Sequence, residues 1–140
     1  MCESLFSKIQ NGDFPIPNAA ATLGAQIIEV SRGLGTIEIE FEGKPAFTNP
    51  VGNIQGGFLA AMLDDTMGPA LAATLKEDEF APTLELSIQF IASARVGKLV
   101  GYGRIVSKGQ NVCFLEGELK QDGKLVAKAN ATALIRQIRR

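Results

Sequence analysis

Asp64, Asp65 and Thr66 interrupt a stretch, residues 56–75, in which almost every other residue is apolar or small. A carboxylate in such a setting is hydrogen-bonded, paired, exposed at a gap in the packing, or functional. With 3.6 residues per helical turn, Asp64 shares a face with Gly57, Ala61 and Gly68, so it looks onto a groove lined by small residues. Asp65 is turned about 100° further round and reads as a salt-bridge or interface group. At the head of the groove, Gly56-Gly57 start the helix, where free amide hydrogens and the positive end of the helix dipole favour an anion or a polarised carbonyl. These parts make half of a hydrolytic site: a holder for an electrophile and a carboxylate about two turns below it. The plainer reading is a tight Gly-Gly helix entry and a surface or subunit-interface aspartate, and spacing alone leaves both open.

The chain has no histidine. That removes Ser/His/Asp and Cys/His triads, His-ligated metal sites and His-based dehydration together, so any chemistry runs on carboxylates, amides, hydroxyls and backbone groups. No metal and no cofactor is expected. With 14 basic and 15 acidic side chains the formal charge is -1, which gives no reason to expect a nucleic-acid or membrane-surface partner. Any anion must be held locally. Residues 1–18 lack a basic region followed by a long apolar run, and no later stretch resembles a membrane span, which points to the cytoplasm. Cys2 and Cys113 lie far apart without a CxxC pair and read as reduced thiols.

The elements that must position the carboxylates follow from periodicity. The 140 residues, 46% hydrophobic, suit one compact domain spanning 1–140, with 1–20 as a lead-in containing a short helix or turn. Residues 25–31 and 35–42 read as strands, and Thr36 to Glu42 alternates strictly, placing Ile37, Ile39 and Phe41 on one face. A loop rich in Pro, Asn and Gly then leads into the helix of residues 56–75, apolar around nearly its whole circumference and so expected to be enclosed. Gly68-Pro69 interrupts it and predicts a kink or change of pitch. Segments 83–94, 98–107, 112–121 and 124–135 read as four more strands in a meander, with Asp122-Gly123 as a two-residue hairpin turn. The order predicts an α+β layer with an antiparallel sheet curled around one central helix.

The run Asn49-Pro50-Val51-Gly52-Asn53-Ile54-Gln55-Gly56-Gly57-Phe58-Leu59-Ala60-Ala61-Met62-Leu63-Asp64 resembles the signature of hotdog-fold acyl-CoA thioesterases of the phenylacetate-degradation type. There an Asn is followed six residues on by His-Gly-Gly, and an Asp lies nine residues after the His. The spacing matches at Asn49, Gln55, Gly56 and Asp64. Residues 84–90, then Ala94-Arg95-Val96-Gly97, and Asp122 to Ala127 are similar to the family's later strands, so the likeness covers residues 24–140. One departure is that the usual His is Gln55, whose amide can donate a hydrogen bond but cannot carry a proton in turnover.

The resemblance implies a hotdog fold of about six strands and hydrolysis of an acyl-CoA to free acid and CoA. The thioester carbonyl would lie at the Gly56 amide, beside Gly57, helped by Gln55, with Asn49 holding the loop or the carbonyl. Asp64 would act as nucleophile or general base, oriented by Thr83 from a neighbouring subunit. The CoA nucleotide would meet Arg95, or Lys108 with the Gly109 and Gln110 backbone, at the position of the family's nucleotide-contacting turn; the basic tail Arg136, Arg139 and Arg140 is a further candidate or a solvated charge cluster. A homodimer is the implied minimal unit, paired into a homotetramer. Ile54, Phe58, Leu59 and Met62 suggest an apolar, medium-chain or aryl acyl pocket, or ordinary core. The competing readings are a non-catalytic acyl-CoA-binding module, which Gln55 favours, a dehydratase, which the missing His disfavours, and a purely structural dimer.

Overall fold

The computed structural model describes residues 5–138. Cys2, Arg139 and Arg140 lie outside the described residues. In chain order come α1 (Leu5–Gln10), α2 (Asn18–Thr22), β1 (Gln26–Ser31), β2 (Thr36–Gly43), a 3-10 turn (Pro45–Phe47), α3 (Gly56–Ala72), β3 (Glu79–Phe80) and β4 (Thr83–Phe90). They are followed by β5 (Gly97–Lys108), β6 (Val112–Gln121), β7 (Lys124–Leu134) and β8 (Arg136–Gln137). Six antiparallel strands form one sheet and β3 pairs with β8 as a separate short ribbon. This is the hotdog arrangement. No described helix is long and apolar enough to cross a membrane.

The alternation in β2 does what its period requires: Ile37, Ile39 and Phe41 are buried against the core while Glu38 and Glu40 point the other way. On α3, Leu59, Met62, Leu63, Thr66, Met67, Ala70 and Leu71 are buried, a 3-4-3-4 spacing that marks one stripe of a helix laid on a sheet. Each large apolar side chain on that stripe contributes about 1.5–3 kcal/mol through burial. The sheet admits the helix backbone closely because Gly101, Gly103 and Gly117 lie beneath it: a Cβ on Gly101 would overlap Thr66 Oγ1, and one on Gly117 would sit 3.0 Å from Met67 Cγ.

Two expectations need correction. The last four strands are not a meander: the sheet order is β1-β2-β5-β6-β7-β4, so only β5, β6 and β7 follow one another, and β4 pairs with β7. A strand has two edges, and those of β5 are filled by β2 and β6. The free edge of β7 is left for β4. Residues 91–96 then carry the chain across the strand ends, with the Ile91 and Ala92 amides donating to the Val126 carbonyl and the Arg95 amide to Gln121 Oε1. Nor is α3 enclosed on all sides: the sheet covers one stripe, while Gly57 and Asp64 on the opposite side are exposed. The helix runs unbroken through Gly68-Pro69.

Candidate active site

The loop before α3 is built by Asn49. Its side-chain oxygen accepts hydrogen bonds from the Val51 and Asn53 amides, both at 3.1 Å, and its own amide donates to the Asn53 carbonyl. Gly52, at φ +88°, supplies the left-handed residue that this tight loop needs. The Ile54 amide donates to the Ala94 carbonyl and the Gln55 amide to Phe47, which fixes where the helix begins. Asn49 therefore holds the loop, and its side-chain oxygen is occupied in doing so.

Gln55 occupies the N-cap position in extended conformation but makes no side-chain cap bond. Serine, threonine or aspartate would normally accept from the first-turn amides there. Instead the Gly56 and Gly57 amides have no acceptor among the described residues, and the Gln55 side chain is exposed. The helix thus starts with free donors at the positive end of its dipole. Gly56 backs onto Phe90, whose ring would lie 3.1 Å from a Cβ, whereas Gly57 has open space.

Asp64 lies on the exposed side of α3, and Thr83 Oγ1 donates to Asp64 Oδ1 at 3.1 Å within the same chain. The contact forms within one chain because residues 73–82 bring the chain back along the helix, so that β4 begins beside the middle of α3. The carboxylate and its hydroxyl partner are one intrachain unit. The helix start is not part of that unit. Gly56 and Asp64 are eight residues apart, about 12 Å along the axis, and a reacting carbonyl must sit within about 3 Å of both. A single chain does not bring the two halves together.

The expected nucleotide contacts divide between the two ends of α3. Arg95 lies beside the helix start, next to the Ala94 carbonyl that anchors Ile54, and its guanidinium pairs with Asp122 at 2.6 Å. Gln121, buried and not anticipated from sequence, accepts from the Arg95 amide and donates to the Arg95 carbonyl, holding that corner. Lys108 is at the other end, where its ammonium donates to Thr74 O at 3.2 Å and Thr74 Oγ1 at 3.1 Å just beyond the helix C-terminus. The Gly109 amide closes its own turn onto Val112, and Gln110 is exposed. Arg136 is exposed in β8.

Ile54, Leu59 and Met62 are buried core, and Phe58 is half-buried and stacked on Phe47 with ring centroids 4.3 Å apart. The larger apolar space is elsewhere, in a groove of about 740 Å³ between α1–α2, the β1 edge and α3 that reaches Asp65. Asp65 forms no salt bridge among the described residues, which removes the first of its two sequence readings within this chain and leaves the interface reading open. Burial, and secondarily the neighbouring Asp64 carboxylate, push its carboxyl up to about 6. The available signal was its company: Gly68, Pro69 and Ala72, at i+3, i+4 and i+7, make an apolar face around an acid.

The chain matches the Thioesterase superfamily over residues 51–128. The solved structure of a phenylacetic acid degradation-related protein from Ralstonia eutropha JMP134 superposes with a TM-score of 0.91 at 44% identity, covering 92% of this chain and 98% of that one. A Saccharolobus solfataricus protein carrying an esterase name is 34% identical over 108 residues, 76% of this chain and 75% of its own length. Human acyl-coenzyme A thioesterase 13 is 27% identical over 112 residues, 76% of this chain and 78% of its own.

Proposed function

Because the chain belongs to the thioesterase superfamily, we propose that it hydrolyses an acyl-CoA, with a medium-chain or aryl acyl group, to the free acid and CoA. The observation that carries this reading is the Asp64–Thr83 pair on an exposed, small-residue face of α3. An acid there with a hydroxyl to orient it is placed to act on a substrate and not to stabilise the fold.

The roughly 12 Å between Gly56 and Asp64 supports a site completed by a second copy. In an antiparallel pair of α3 helices, the Gly56 and Gly57 amides of one chain meet Asp64 of the other, and the absence of side chains at Gly57 and Gly68 lets the backbones and a substrate approach closely. β4 supports this assembly: among the described residues its outer edge is unpaired, and it exposes Leu84 (60%) and Phe90 (57%), with Phe90 lying against Gly56. Pairing β4 with its copy continues the sheet, satisfies the free edge and covers those side chains. Such dimers pair into tetramers by analogy with the family.

In the composite site the first-turn amides and the Gln55 side chain polarise the thioester carbonyl, each well-placed donor contributing about 3 kcal/mol to the transition state. Asp64 takes a proton from water as hydroxide adds to the carbonyl carbon. The tetrahedral intermediate then expels the CoA thiolate, which recovers the proton from the Asp64 carboxyl. Direct attack by Asp64 through a mixed anhydride, which water then opens, gives the same products, and chemical trapping of the acyl–Asp64 anhydride during turnover distinguishes it. Gln55 donates but carries no proton, so proton traffic falls on Asp64 alone. CoA meets Arg95 at the helix-start corner, and Lys108, Gly109 and Gln110 at the opposite end where a partner's site lies close.

Gln55 favours a second reading, a binder of acyl-CoA without turnover. An acyl-CoA panel of short, medium, long and aryl acyl groups, run with wild type and Asp64→Asn, separates the two: hydrolysis lost in the variant supports the thioesterase, and binding without hydrolysis in the wild type supports the binder.

A further inference from the structure

The apolar groove adjoins the candidate site along α3, sharing Gly68 with the face of the helix that carries Asp64. Its helix wall is Asp65, Gly68, Pro69 and Ala72, the stripe next to Asp64, and it is faced by Phe6 and Ile28 from α1 and β1. Gly68 leaves open space where a side chain would narrow the passage. A volume of about 740 Å³ is in the range of small-molecule pockets. Asp65 is turned about 100° round the helix from Asp64, with Gly68 between the two directions, so an acyl chain whose carbonyl lies at Asp64 meets Asp65 within its first few carbons where it turns over Gly68 into the groove.

Charge on this groove has one sign. Its charged lining residues are Asp65 and Glu79; α1, α2, β1 and β2 contribute no cation to it among the described residues. Lys8 of α1 is engaged by Glu77, and Glu79 accepts from the Lys76 amide. The Asp65 carboxylate has neither a hydrogen bond nor an ion pair among the described residues. An acid held in an apolar wall without a counter-charge is costly unless something that binds there supplies one.

We infer that the groove receives the acyl portion of the thioester and that Asp65 selects acyl groups bearing a protonated amine on the carbons next to the carbonyl, with an apolar chain or ring beyond. The inference rests on the thioesterase reading and names the substrate class of that site. The amine supplies the donor that Asp65 lacks, while the rest of the acyl group fills apolar space. The same charges reject acyl groups with a carboxylate in that position. With its carboxyl near 6, Asp65 is ionised at neutral pH and neutral in mild acid, so the preference for an amine weakens as pH falls through about 6.

The test uses three acyl-CoAs of one chain length: unsubstituted, 3-amino and 3-carboxy. For the wild type at neutral pH, kcat/KM is expected to favour the amine over the unsubstituted chain by about tenfold or more, the scale of a hydrogen bond to a charged group, and to fall for the carboxylate. Asp65→Asn and Asp65→Ser should each bring the three to within about twofold of one another and remove the pH dependence of the ratio. An amine-to-unsubstituted ratio that is the same in the wild type and both variants overturns the inference, as does a wild-type preference for the carboxylated chain. If no thioester is turned over, the hydrolase reading fails separately, and the ratio of dissociation constants for the same three compounds on wild type and variants decides this inference.

Discussion

The two sides of α3 use small residues for opposite purposes. On the sheet side the glycines belong to the partner element: Gly101, Gly103 and Gly117 have no room for a Cβ because Thr66 and Met67 press onto them. On the outer side the glycines belong to the helix itself, and among the described residues nothing from outside the helix lies within 4 Å of where a Cβ on Gly57 or Gly68 would be. Close packing explains the first set. The second set stabilises nothing in the single chain and weakens the helix, since glycine in a helix interior costs about 1 kcal/mol relative to alanine. A residue that costs stability and touches nothing marks space kept for something else, and here that space surrounds Asp64 and the start of α3.

The largest contrast between the sides should appear at Asp64 itself. Asp64→Asn is expected to lower kcat by about 10³-fold while shifting unfolding free energy by less than about 0.5 kcal/mol, as for other exposed positions; activity assays beside urea denaturation read both. Next comes Gly101→Val, expected to destabilise by about 3 kcal/mol because the new side chain collides with Thr66. Truncation by Thr66→Ala in the same chain should recover part of that loss, and a Gly101→Val protein as stable as wild type would break the contrast. On the outer side the sign reverses: Gly68→Ala should stabilise by up to about 1 kcal/mol yet reduce kcat/KM, since the added methyl narrows the groove.

The smallest expected effect is a pH dependence. Asp65 is raised in the folded state, the opposite of the usual salt-bridged aspartate, so the folded protein holds its proton more tightly than the unfolded chain does. Its presence favours folding in acid and disfavours it once pH has risen through about 6. Asp65→Asn should therefore stabilise by about 1 kcal/mol at neutral pH, discounted for partial solvent access, with most of that gain gone near pH 4, where the folded carboxyl is protonated and the unfolded one is only about half ionised. Chemical denaturation at the two pH values measures the difference.

Much of the fold was legible because period reports burial directly. The strict alternation of residues 36–42 places Ile37, Ile39 and Phe41 inward, and turn residues mark the hairpins at 108–111 and 122–123. Strand order was less legible: adjacency in sequence suggests adjacency in space, and nothing local reveals that β5 has both edges taken. The distinct faces of α3 were hidden for a similar reason, since alanine and glycine read as apolar whether packed or bare. The aspartate and the glycine pair stood out by type and spacing, whereas Thr83 as an intrachain partner and Asp65 as a groove residue depend on how residues 73–82 and the N-terminal helices fold back. Gln121 gave no signal, because a glutamine at a strand end is ordinary until both ends of its amide are seen to clamp residue 95.

The central claim, that each site joins Asp64 of one chain to the helix start of another, is tested most directly by complementation. Gly56→Pro deletes one of the free amides at a position where proline is compatible with a helix start, after a Gln55 already in extended backbone. Asp64→Asn deletes the carboxylate. Each variant alone should be inactive on an acyl-CoA that the wild type hydrolyses. Mixed and reassembled in equal amounts, half of the dimers carry both chains, and in each of these one site is built entirely from unaltered groups, so activity should return to about a quarter of the wild-type value. Two inactive variants that remain inactive when mixed, with mixed dimers shown to form, would contradict the shared site and return Asp64 to a role within its own chain.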